Sequence, residues 1–126
     1  MPTDNDGVYR IAIASTDGKV VNEHFGRAGF FYIAEIKSDG SFSVTCKREV
    51  TPLCDSGEHT EEGILTKVKE LSDCTAVLVA KIGNPVERAF EINGISVFEQ
   101  PDFIEDALVK LAKYYTSKIK HEEKKE

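Results

Sequence analysis

Five consecutive apolar residues, Ala76-Val77-Leu78-Val79-Ala80, constrain this chain more than any other feature. A strand with one wet face alternates apolar and polar side chains; a strand without alternation is covered on both faces. The run therefore predicts the centre of a sheet with helices on either side. The residues after it agree. Asn84-Pro85-Val86-Glu87 reads as a helix start, with Asn84 as cap, Pro85 at the first helical position and Glu87 at the third. Asn93-Gly94 closes that helix, residues 95–98 form a short strand, and Asp102 with Glu105 opens a last helix. On that helix Ile104, Leu108, Leu111, Ala112 and Tyr115 share one stripe.

The first half reads differently. Residues 8–14 alternate at Ile11 and Ile13, residues 30–36 are aromatic and β-branched, and residues 42–50 return after a Ser38-Asp39-Gly40 turn. These make an antiparallel meander. Residues 51–60 (TPLCDSGEHT) are too polar and too rich in Pro and Gly for regular structure, and Thr60 can cap a helix with Ile64, Leu65, Val68 and Leu71 at helical spacing. The order is βββαβαβα: an α/β fold with a mixed five-stranded sheet flanked by helices. The strand–helix–strand units require a parallel portion, so residues 8–14 and 76–80, both reading as central, are expected side by side and parallel.

A length of 126 residues suits one domain. Its expected bounds are 8–117, with a disordered polar start at 1–7 and a charged tail at 118–126, where seven of nine residues are charged. No apolar run approaches the ~20 residues that span a bilayer, and the start lacks a signal-peptide pattern. A net charge of −6 disfavours nucleic acid as partner. Three cysteines without repeated spacing make no disulfide framework, and a reduced cytoplasm is the expected compartment.

There is no phosphate loop, no dinucleotide fingerprint and no C-x-x-C. A two-metal nuclease needs carboxylates on its central strands, and residues 8–14 and 76–80 carry none. What remains are soft ligands in loops: His24, Cys54 and His59, suited to iron, zinc, copper and iron–sulfur species. Gly26 allows close approach to the backbone beside His24, and Arg27 offers a fork of donors to an anion. Against this stand plainer readings: a surface histidine, and a loop thiol near a helix-start histidine, at a spacing that fits no standard zinc pattern. Cys74 reads as a small core residue, Cys46 as core or partly covered, His121 as solvated, and Phe30-Phe31-Tyr32 as core.

Taken together, residues 11–18 (IAIASTDG) and 21–36 (VNEHFGRAGFFYIAEI) resemble the dinitrogenase iron–molybdenum cofactor-binding family. Residues 54–63 and 71–98 (LSDCTAVLVAKIGNPVERAFEINGISVF) resemble it more closely, and are similar to the NifX-type carriers and the carboxy-terminal domain of the NifB type. The resemblance implies a ribonuclease-H-like fold without nuclease chemistry. It implies a non-catalytic carrier for the iron–molybdenum cofactor or an iron–sulfur precursor cluster, working with nitrogenase cofactor assembly proteins. The proposed cluster ligand of the HFG element falls on His24, within a binding segment of His24, Phe25, Gly26 and Arg27; Cys54 and His59 match the second block. No three-cysteine motif of a radical-generating domain is present, so a stand-alone domain is expected. A cluster brings its own sulfides and needs few protein ligands. Because such clusters are commonly anionic, a local positive pocket is expected from Arg27 and Lys19 or Lys81. The other readings are a mononuclear metal-binding or sensing domain and an interaction module without cofactor.

Overall fold

The computed structural model describes residues 8–25, 29–50 and 61–124, with the side chains of 61, 62 and 117–124 outside that description. The chain runs β1 (Tyr9–Ile13), β2 (Phe30–Ile36), β3 (Phe42–Glu49), α1 (Glu61–Glu70), β4 (Ala76–Val79), α2 (Asn84–Ile92), β5 (Ser96–Glu99) and α3 (Ile104–Lys124). The five strands form one sheet in the order β3-β2-β1-β4-β5. The meander pairs antiparallel, β1 with β2 and β2 with β3. β1 and β4 are adjacent and parallel, with Ile11, Ala12 and Ile13 opposite Ala76, Val77 and Leu78, and β5 continues in parallel. The expected topology is therefore observed.

The apolar run at β4 is central because both its faces are covered, and all four residues of the strand are buried. Ala12, Phe31, Ile33, Val77 and Val79 pack beneath Ile64 and Val68 of α1, Leu71 just after it, and Val86 and Phe90 of α2. The alternate residues Ile11, Ile13, Ile36, Ala76 and Leu78 pack on Ile104, Leu108, Leu111, Ala112 and Tyr115 of α3. The β2–β3 turn is held by Asp39, whose Oδ1 accepts bonds from the Ser41 amide and hydroxyl, and Gly40 supplies φ +92°.

Three local expectations are corrected. Leu65 is 52% exposed, and the polar face of α1 begins with it; Lys67, three residues after Ile64, occupies the apolar stripe instead and is fully buried. Asn84 is not a cap. Gly83 holds that position with extended backbone and no side-chain bond, and the Glu87 amide donates to its carbonyl (3.0 Å), so Pro85 is the second helical residue. Cys46 is exposed. It pairs with Ile33 while Val44 pairs with Ala34, leaving Thr45 as an extra residue in a bulge. The bulge breaks the alternation on which the sequence reading relied, and β3 is an edge strand whose middle lies open.

Candidate functional site

A parallel strand pair sends the chain out at the same end, and here the chain leaves β1, β4 and β5 on one side of the sheet, where His24 lies. The Ala14 amide donates to the Leu78 carbonyl (2.8 Å), continuing the β1–β4 ladder. The chain then turns through Ser15–Gly18, where the Ser15 hydroxyl accepts from the amides of Asp17 and Gly18, and Asp17 Oδ1 accepts from those of Lys19 and Val20. These bonds hold the Asp17 carboxyl below its ordinary range, the Lys19 amide contributing most. Gly18 takes φ +76° and approaches the Tyr32 ring so closely that a Cβ would lie 3.1 Å from it. The loop is next stitched to the start of α3: the Val21 amide donates to the Asp102 carbonyl and the Ile104 amide to that of Lys19.

From there the chain returns to β4. The Glu23 amide donates to Ala14, the Ala80 amide to Glu23 (3.1 Å), and the Phe25 amide to Lys81 (2.8 Å). His24 thus sits in a short parallel bridge opposite Lys81, with its backbone fixed and its side chain exposed. This is the crevice position, outside the carboxyl ends of parallel strands, where α/β sheets place ligands. A loop residue with a pinned backbone and a free imidazole can donate a metal–nitrogen bond without moving the core.

Phe25, next in sequence, is fully buried. Its ring meets Phe90 edge-on (centroids 5.1 Å apart) and Phe31 at a tilt (5.5 Å). What Phe25 offers a ligand is therefore anchorage, the ring being taken by the core. Gly26, Arg27, Cys54 and His59 lie outside the described residues. Their flanks are described: the Val50 amide donates to the Gly29 carbonyl (3.0 Å), so β3 ends beside the segment that follows the HFG element. Lys81 and Lys19 are both exposed, Lys81 directly across the bridge from His24. Among the described residues no three His, Cys, Asp or Glu side chains come together to hold a metal ion.

Cys74 lies at the opposite end of β4, buried, its thiol pushed up to about 12 chiefly by desolvation. Beside it Asp73 receives both guanidinium nitrogens of Arg48 (2.8 and 2.9 Å) and one of Arg10 (3.1 Å). The hydrogen bond from Arg48 is the main cause holding its carboxyl below the usual range. An open groove of about 910 Å³ between α1 and α2 is lined by Ile64, Leu65, Pro85, Arg88 and Ile92 among others, and His24 is not part of it. Sequence reasoning missed Lys67, whose Nζ lies 4.7 Å from the centre of the Phe25 ring and 5.2 Å from that of Phe31. The available signal was its spacing, three after Ile64 and four before Leu71, on the face the helix must bury.

The sequence model of the dinitrogenase iron-molybdenum cofactor family matches residues 7–114. Among curated proteins, the chain is 32% identical over 120 residues to the FeMo cofactor biosynthesis protein NifB of Herbaspirillum seropedicae, covering 93% of this chain and 23% of that one. It is 35% identical over 113 residues to Protein NifX of Sinorhizobium fredii, covering 85% and 70%. The chain thus spans about a quarter of the length of the NifB relatives it matches. The fold is similar to the solved structure of PH0822 (TM-score 0.60, 22% identity, 82% of this chain and 88% of that one). It is also similar to that of a Methanocaldococcus jannaschii protein (TM-score 0.54, 16% identity, 84% and 89%).

Proposed function

The chain belongs to the dinitrogenase iron–molybdenum cofactor family, and on that premise we propose that it is a non-catalytic carrier. Its cargo is an iron–sulfur-based nitrogenase cofactor, the iron–molybdenum cofactor or a precursor, which it receives from and passes to nitrogenase cofactor assembly proteins. The observation that carries this reading is His24, an exposed imidazole on a backbone pinned at the carboxyl end of the two central parallel strands.

The chemistry of transfer favours such a site. A preassembled cluster is already ligated by sulfide, so one imidazole, with Cys54 and His59 as further donors, captures it without the four cysteines of a permanent centre. Few ligands also permit release. Lys81 faces His24 across the bridge, and α2 begins at Asn84 without a side-chain cap, so its positive dipole end opens on the same side. Both features, with Arg27, suit an anionic cargo on an otherwise acidic chain. No helix of the described residues is long and apolar enough to cross a membrane; the proposed place of work is the cytoplasm.

Anaerobic titration of the wild-type chain separates this reading from a mononuclear metal site and from an interaction module. The carrier binds a preassembled cubane iron–sulfur cluster at one per chain, with brown absorbance and matching iron and sulfide content. Uptake of zinc alone, or of neither, contradicts it.

A further inference from the structure

A buried amide needs an acceptor, and a sheet supplies one only as far as its strands run side by side. Beyond the paired residues of β4 and β5, the Gln100 amide donates to the Val79 carbonyl (2.9 Å). Past that point no main-chain bond joins the two segments among the described residues. The chain leaving β4 nevertheless carries a buried residue, Ile82, whose amide needs a partner. A side chain provides it: Oε2 of Glu99, the last residue of β5, accepts from the Ile82 amide at 3.0 Å. A charged acceptor makes a stronger bond than a neutral one.

The other edge of the same peptide unit is engaged as well. The Lys81 carbonyl, which shares that peptide with the Ile82 amide, accepts from the Phe25 amide at 2.8 Å. A trans peptide is planar and points its C=O and N–H to opposite sides, so Phe25 and Glu99 hold one rigid plate from its two edges. The bond to the carboxylate also polarises the plate and makes its carbonyl a better acceptor for Phe25. His24, directly before Phe25, is the residue bridged to Lys81. We propose that Glu99 is a positioning residue of this site: its carboxylate orients the Lys81–Ile82 peptide, and that peptide keeps Phe25 and His24 in register with β4. The effect on ligand binding rests on the reading of His24 as a cluster ligand; the effect on the loop does not.

Hydrogen exchange in the ligand-free protein reads both edges of the peptide. In Glu99→Ala the Ile82 amide loses its acceptor, and the Phe25 amide is expected to exchange about tenfold faster along with it. The Ala14 amide, bonded to Leu78, and the Ser96 amide, bonded to Thr75, should stay within about twofold of wild type. Glu99→Asp keeps the charge, withdraws the oxygens by one methylene, and should behave as Glu99→Ala does. Glu99→Gln keeps an acceptor oxygen at the same reach and should bring Phe25 to within about threefold of wild type. Should Glu99→Ala fail to fold, the other two variants carry the same comparison. Affinity for a preassembled cubane iron–sulfur cluster should fall about fivefold wherever the Phe25 amide is loosened, and recover in Glu99→Gln. A wild-type chain that binds no cluster refutes the carrier, and the exchange pattern still decides the positioning role. Four results overturn the proposal: unchanged Phe25 exchange in Glu99→Ala, equal acceleration of all four amides, no rescue by Glu99→Gln, or wild-type cluster affinity despite a loosened Phe25 amide.

Discussion

Cys74 and Cys46 carry the same thiol, and the fold gives them opposite exposure. Cys74 precedes the buried strand β4, and burial pushes its thiol up to about 12, so the nucleophilic thiolate is scarce at neutral pH and shielded besides. Cys46 stands exposed on β3. With a thiol-specific reagent at neutral pH, Cys46 is expected to label in the native state and Cys74 only after denaturation, by mass spectrometry of digested peptides. Native labelling of Cys74 ahead of Cys46 would contradict the assignment. The burial of Cys74 was legible because its neighbours form an unbroken apolar run. The exposure of Cys46 was not, because a bulge at Thr45 is a property of pairing between strands and leaves no mark on local alternation. Lys67 was legible only in part: its residue type argues for solvent and its spacing for the core, and the side chain is fully buried.

At the scale of elements, Asp73 is a polar link that ties several together. It lies between α1 and β4 and binds Arg10 of β1 and Arg48 of β3, while Arg48 also donates to the Glu70 carbonyl at the end of α1 (3.0 Å). The folded chain holds the Asp73 carboxyl below its ordinary 3.8, chiefly through the bond from Arg48. A carboxyl depressed on folding contributes stability above the unfolded value, and that contribution disappears as pH falls through the folded one. Asp73→Asn should therefore cost no more than about 1 kcal/mol near neutrality, since the cluster is part exposed. It should also flatten the acid limb of a stability profile below pH ~4. Urea denaturation across pH checks this, and an unaltered acid limb would show that the network contributes nothing to folding. At this scale β1, β2, β4 and α3 were legible from periodicity. The start of α2 was misplaced by one residue, because Gly83 and Asn84 both suit a cap and backbone geometry decides between them.

At the scale of the whole molecule, parallel pairing of β1 with β4 decides where the proposed site sits. It directs the chain after Ile13, Val79 and Glu99 to one end, so residues far apart in sequence, His24 and Lys81 among them, meet there. That meeting was readable only in outline: the sequence pattern predicts the parallel pair, and resemblance marks His24, but the Glu23–Phe25 return to β4 is a product of main-chain hydrogen bonds, which side-chain identity does not encode. In the proposed carrier, His24 is a ligand on a scaffold that does not need it. His24→Ala, measured for melting and for cluster retention in one preparation, separates a ligand from a structural residue. Stability should change by no more than ~0.5 kcal/mol, as for an exposed residue away from special features. Affinity for the cluster should fall at least tenfold, about 1.4 kcal/mol, and wild-type affinity should weaken on acidification because a protonated imidazole cannot coordinate. Full retention of the cluster by a folded His24→Ala chain would contradict the claim.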